Sequence, residues 1–94
     1  MRYVAQTKSF RRDLKRLIRG RYRDIIEREL LEVVDILAND APLDYSYHDH
    51  ALTGNLLGYR ECHLAFDLVL MYRLEGDNLL VLEKIGSHSE VLGL

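Results

Sequence analysis

Apolar positions recur along the first forty residues with the period of an α-helix. Phe10, Leu14, Leu17 and Ile18 fall on one face of a segment that begins near Lys8, where Thr7 or Ser9 can cap the first turn. Gly20 interrupts it. From about Tyr22 to Ala38 a second stripe of Ile26, Leu30, Val33 and Leu37 is widened by Ile25, Val34 and Ile36. Asp24 and Glu27 put carboxylates early in that helix, where its dipole favours them, and the run Asn39-Asp-Ala-Pro42 stops it. The two segments predict an αα-hairpin.

After residue 43 the pattern changes. Residues 43–55 form a loop rich in Asp, Tyr and His, and three strand-like runs follow at about Leu57–Leu64, Asp67–Glu75 and Asn78–Ile85. The near-continuous apolar run Leu68-Val-Leu-Met-Tyr72 predicts a central strand covered on both faces. Gly76-Asp-Asn marks a hairpin turn, and the connection from Leu64 to Asp67 is short enough for another. Tyr3-Val-Ala is suited to a short first strand. The expected architecture is a single α+β domain over residues 1–94, ordered β-α-α-β-β-β. A short first strand and an N-terminal helical hairpin pack on an antiparallel sheet.

Composition bounds this picture more than it changes it. With 94 residues and 48% hydrophobic content, one small core is all the chain can build. No apolar run is long enough to span a membrane. The N-terminus shows no signal-peptide core, and the single Cys62 can make no internal disulfide, so a reducing cytoplasm is the expected location. Charge adds an asymmetry that the net value of -2 conceals. Residues 1–30 hold ten Lys/Arg against four Asp/Glu, and the rest hold three against eleven. A basic N-terminal third suits nucleic acid or an acidic protein as partner, and equally suits a solvated helix face.

The predicted hairpins have a chemical consequence. His63 lies near the end of the first long strand, Asp67 at the start of the second, and His88 just after the third. Two successive reversals therefore bring all three to one edge of the sheet. His50 can join them only if its loop folds back, and His48 is expected at a solvated loop position. Imidazoles titrate near neutral pH, so one can accept a proton while another donates one. RNA cleavage through its own 2′-hydroxyl needs such a pair, an orienting carboxylate and a cation for the phosphorane-like transition state. Arg60 and Lys84 are the candidate cations on the strands. The same side chains carry N and O ligand atoms, but no HExxH, C-x-x-C or comparable spacing is present, so neither metal nor cofactor is expected.

Three elements occur together: Asp49-His50-Ala-Leu-Thr-Gly-Asn55, Gly58-Tyr-Arg-Glu-Cys-His63 followed by Asp67, and Gly86-Ser-His88. With Phe10-Arg-Arg-Asp-Leu-Lys-Arg-Leu17 upstream and Pro42-Leu43 after the second helix, the chain resembles, over nearly its whole length, the YafQ branch of the RelE/ParE toxin superfamily. The resemblance implies a RelE-like α+β fold and ribosome-dependent, metal-independent cleavage of mRNA. It implies as partners the ribosome, mRNA and a ribbon-helix-helix antitoxin of the DinJ/RelB kind that wraps and blocks the toxin. It also implies catalytic roles for His50, His63, Asp67 and His88, with His88 the main acid/base candidate and Arg60 and Lys84 at phosphate-contacting positions. Two aromatic positions of the family are leucines here, Leu68 and Leu92. Tyr47, Tyr59 and Tyr72 are the available substitutes for base stacking. A gyrase-inhibiting toxin of the ParE type and a catalytically weakened antitoxin-binding module remain the alternatives on the same scaffold.

Overall fold

In the computed structural model, which describes residues 1–93, the chain runs β1 (Tyr3–Gln6), α1 (Lys8–Leu17), α2 (Arg23–Ala38), β2 (His50–Ala51), β3 (Arg60–Ala65), β4 (Leu68–Glu75), β5 (Leu79–Gly86) and α3 (His88–Leu92). Two 3₁₀ turns, Tyr45–Tyr47 and Gly54–Leu56, shape the loop either side of β2. Thr7, not Ser9, caps α1, accepting the Phe10 amide at 3.0 Å. Asn39 ends α2 and Asp40 follows with φ 55, which closes the helix before Pro42.

The apolar stripes do what their spacing predicts. Phe10 and Leu17 of α1 and Ile26, Val33 and Leu37 of α2 are buried against one face of the sheet. That face is formed by Cys62 and Leu64 of β3, Leu68, Leu70 and Tyr72 of β4, and Leu80, Leu82 and Ile85 of β5. β4 is the central strand, and Leu68 to Tyr72 are buried without interruption. Its other face carries Val69 and Met71, covered by Val91 of α3 and flanked by Leu52, Leu56, Tyr59 and Leu92. Gly76 supplies the positive φ of 55° that the β4–β5 turn requires.

The sheet departs from expectation in three ways. It has five strands in the order β1-β5-β4-β3-β2, and β1 pairs with β5 in parallel, so it is mixed and not purely antiparallel. The hairpins leave the outer edge of β5 free, and β1 fills it with Tyr3 opposite Leu79 and Gln6 opposite Leu82. Strand β3 begins at Arg60 and not at the expected Leu57, because Leu57 closes the 3₁₀ turn Gly54–Leu56 and Gly58 follows with φ 99. Finally, the residues after β5 form α3. Ser87 accepts the Glu90 amide and the Glu90 carboxylate accepts the Ser87 amide, a reciprocal cap that starts a helix at His88.

Candidate active site

Strand alternation decides which side chains can meet. On β3, Cys62 and Leu64 point to the helices, so Glu61 and His63 take the opposite face. His50 of β2 pairs with Glu61 across the sheet, and His63 pairs with Val69 of β4. The two-residue turn Phe66-Asp67 follows a register irregularity between His63 and Ala65. Gly86 pairs with Val69, and the α3 cap then lifts His88 over the same edge. The result is an open groove of about 1040 Å³ lined by His48, His50, His63, Phe66, Asp67 and His88 among others.

Glu61 lies beneath the groove and is 3% exposed. One of its oxygens, Oε1, stands 3.4 Å from His50 Nε2, 3.5 Å from His63 Nε2 and 3.8 Å from His88 Nε2. The other, Oε2, is buried with no hydrogen-bond partner among the described residues. The rings of His63 and His88 meet edge to face with centroids 4.8 Å apart. Asp67 Oδ1 accepts both the His88 backbone amide and His88 Nδ1, each at 3.1 Å. With its Nδ1–H committed to that carboxylate, His88 turns Nε2 to the groove. His50 is oriented likewise: its Nδ1 lies 2.7 Å from the His48 carbonyl, which can only accept, so Nε2 faces Glu61.

The electrostatics follow this geometry. The His88 amide, and then its imidazole, hold the Asp67 carboxyl below the usual carboxylate range. Burial, and then the neighbouring His88 charge, push His63 below its ordinary value, while Glu61 pulls the other way. The shift favours the neutral imidazole, the form that can take up a proton. Cys62 is fully buried behind this face and its thiol is pushed up to about 12 by burial, which makes it a packing residue and not a nucleophile.

The structure thus brings together all four of the predicted residues His50, His63, Asp67 and His88, and it adds Glu61 at their centre. His48 is exposed as expected but does not stand apart. Its left-handed backbone, φ 50, swings its ring to 5.4 Å from that of His63. The two predicted cations fare differently. Arg60 lies on the helix-facing side, donating to Asp49 at 3.2 Å and to the Tyr72 hydroxyl at 3.2 Å. The Tyr72 hydroxyl also donates to Asp49 at 2.5 Å, so this triad fastens the His48–His50 loop to the sheet. Lys84 shares the face of Glu61 but sits two strands away, opposite Met71, outside the groove lining. The cation within electrostatic reach of Asp67 is instead Arg21, from the turn between α1 and α2. Of the substitute aromatics, Tyr72 is 1% exposed, and Tyr59 packs against the Val69–Met71–Val91 cluster outside the groove lining; Tyr47 lines the groove with its hydroxyl pinned to Glu29 at 2.6 Å.

The chain is thus a small α+β protein of RelE-like fold that gathers three imidazoles around one buried carboxylate at the sheet edge. A family model described as "Bacterial toxin of type II toxin-antitoxin system, YafQ" matches residues 2–93, and the chain belongs to that family. The mRNA interferase toxin YafQ of Escherichia coli K12 is 33% identical over 92 residues, covering 98% of this chain and 97% of that one. A metal-bound toxin from Helicobacter pylori superposes with a TM-score of 0.83 at 41% identity, covering 97% of this chain and 99% of the other. YafQ in the E. coli DinJ–YafQ toxin–antitoxin complex superposes with a TM-score of 0.80 at 32% identity, covering 98% of each chain. Among the described residues, no helix is long and apolar enough to cross a membrane.

Proposed function

We propose that this chain is a cytoplasmic endoribonuclease toxin that cleaves mRNA during translation and is held in check by a ribbon-helix-helix antitoxin of the DinJ kind. The observation that carries the reading is the convergence of three imidazole Nε2 atoms on one buried Glu61 oxygen at the floor of an open groove. Membership of the YafQ family and the name mRNA interferase borne by the E. coli relative support the substrate.

The chemistry needs no external nucleophile. The ribose 2′-oxygen attacks the adjacent phosphorus while His63, half-buried and shifted toward its neutral form, takes the 2′-hydroxyl proton. His88, oriented by Asp67, delivers a proton to the departing 5′-oxygen. A 2′,3′-cyclic phosphate and a 5′-hydroxyl result. Glu61 stabilises whichever imidazole is protonated, His50 completes its shell, and Arg21, whose charge acts on Asp67, is the candidate cation for the developing charge. The basic face of α1 suits contact with ribosomal RNA, where a local patch suffices despite a net charge of -2. The test is translation-coupled cleavage mapped by primer extension. His88→Ala should lose about 10²–10⁴-fold in rate while melting as the wild type does; cleavage at the wild-type rate rejects the assignment.

A metal reading has one specific observation behind it. Glu61, His63 and His88 offer ligand atoms all within 4.8 Å of one another, and Glu61 Oε2 is an unpartnered buried donor. These three residues fit a borderline transition ion such as Zn²⁺, and the H. pylori relative is described as metal-bound. An ion there would supply Lewis acidity, but it would occupy the nitrogens that the acid/base route uses. On the primary reading, cleavage survives a chelator and falls when zinc is added.

A further inference from the structure

The geometry points to Phe66 as the side chain on which a nucleobase of single-stranded RNA stacks beside the scissile phosphate. Phe66 occupies the two-residue turn between β3 and β4 and is 97% exposed, the most exposed large hydrophobic side chain among the described residues. Turn positions of this kind usually carry Gly, Asn, Asp or Ser. A bare phenyl ring there gains nothing from the fold, since it forgoes the burial that stabilises an aromatic side chain in the core. It borders the groove together with His63, Asp67 and His88, and it directly precedes the residue that orients His88. Its groove neighbours include four imidazoles and the Glu29 and Asp67 carboxylates, a setting suited to a flat ligand with a polar edge more than to an apolar protein anchor.

The other aromatic positions leave this role open. Leu68, where the family resemblance points to an aromatic, is fully buried among core residues. Tyr72 is buried, and Tyr47 is tied to Glu29. Among the described aromatics, Phe66 is the exposed ring that shares the groove lining with His63 and His88, whereas the exposed Tyr45 lies outside that lining. Stacking there would fix the base next to the reacting 2′-hydroxyl, so Phe66 is a specificity residue and not an acid or base. The inference rests on the ribonuclease reading for its substrate, but its test does not require cleavage.

The chain has two phenylalanines, and Phe10 is fully buried, which supplies an internal reference. Protein with ring-labelled phenylalanine is titrated by NMR with a single-stranded RNA hexamer carrying 2′-O-methyl riboses, which resist cleavage. The Phe66 ring signals should move while those of Phe10 stay. Phe66→Ala and Phe66→Leu should each weaken hexamer binding by about 5- to 150-fold, the span of base–aromatic stacking, and Phe66→Trp should keep it. An abasic hexamer should bind wild type and Phe66→Ala alike. Unmoved Phe66 signals, or full affinity in Phe66→Leu, would overturn the inference. So would a Phe66→Ala protein that binds RNA normally and loses a ribbon-helix-helix antitoxin, since that makes the ring a protein anchor. Wild-type protein that binds the hexamer through Phe66 yet leaves translated mRNA intact would refute the nuclease and retain the stacking site.

Discussion

Glu61→Gln keeps the side-chain volume and removes the charge that three imidazole nitrogens face at 3.4, 3.5 and 3.8 Å. At the 3.5 Å separation of Glu61 and His63, a unit ion pair is worth about 1 kcal/mol in water and about 5 kcal/mol at an effective dielectric of 20. The Glu61 side chain is 4% and the His63 side chain 22% exposed, so the pair lies inside that range. Burial and His88 lower the proton affinity of His63, and Glu61 opposes them. Without the carboxylate charge, His63 falls further below its ordinary value. A histidine whose folded value lies below its unfolded one loses stability as the pH falls through that interval. Both proteins pay this, and the variant pays more, so the wild type gains on the variant between pH 8 and pH 5. At pH 8 the balance differs. Burying Glu61 Oε2 without a partner costs about 1–3 kcal/mol, and neutralising the group relieves part of it. Glu61→Gln should therefore melt at or above the wild type at pH 8 and lose ground at pH 5, by about 4–8 °C per kcal/mol. Thermal unfolding followed by circular dichroism at both pH values, with the His63 ring titrated by NMR, reads each part. A melting difference that does not change with pH, or a His63 titration that stays put or rises, refutes the reasoning.

Asp49→Ala leaves the proton of the buried Tyr72 hydroxyl without its 2.5 Å acceptor, while Arg60 still donates to its oxygen, and should cost about 1–3 kcal/mol. A denaturant double-mutant cycle with Tyr72→Phe should recover a coupling of about 0.5–3 kcal/mol, and a coupling near zero would sink the idea that this pair fastens the His48–His50 loop. Gly86→Ala places a Cβ 2.9 Å from Glu90 Oε1, the oxygen that accepts the Ser87 amide at the start of α3. Losing that cap costs about 0.5–2 kcal/mol of stability, whereas the displaced His88 should slow mRNA cleavage by more than this energy explains; equal losses in the two assays would argue against it.

Local rules carried most of what the sequence disclosed. The helical hairpin follows from the Phe10–Leu17 and Ile26–Leu37 spacings, and the central strand from the unbroken run at 68–72. The meeting of His63, Asp67 and His88 follows from two tight reversals, because a hairpin fixes which ends of its strands are neighbours. The parallel docking of β1 on β5 is a non-local choice of edge, and no periodicity in residues 3–6 encodes it. Nor does any local pattern mark the left-handed turn at His48 that brings its ring to the groove.

Strand alternation bears differently on Arg60 and Glu61. Side chains an odd number of positions apart on a strand take opposite faces, so Arg60 cannot share the face of His63, whereas Glu61, two positions before His63, must share it. The period-two rule therefore already puts Arg60 on the face opposite His63 and delivers a carboxylate to the histidines. What it cannot supply is the burial of that carboxylate. Glu61 sinks to 3% exposure because Met71 is its neighbour on β4 and the loop before β3 folds β2 over its other side. Only then does one oxygen face three imidazoles while the other is left without a partner. A buried, half-satisfied carboxylate weakens a small core, so its place under the groove is best explained by what it does to the protons above it.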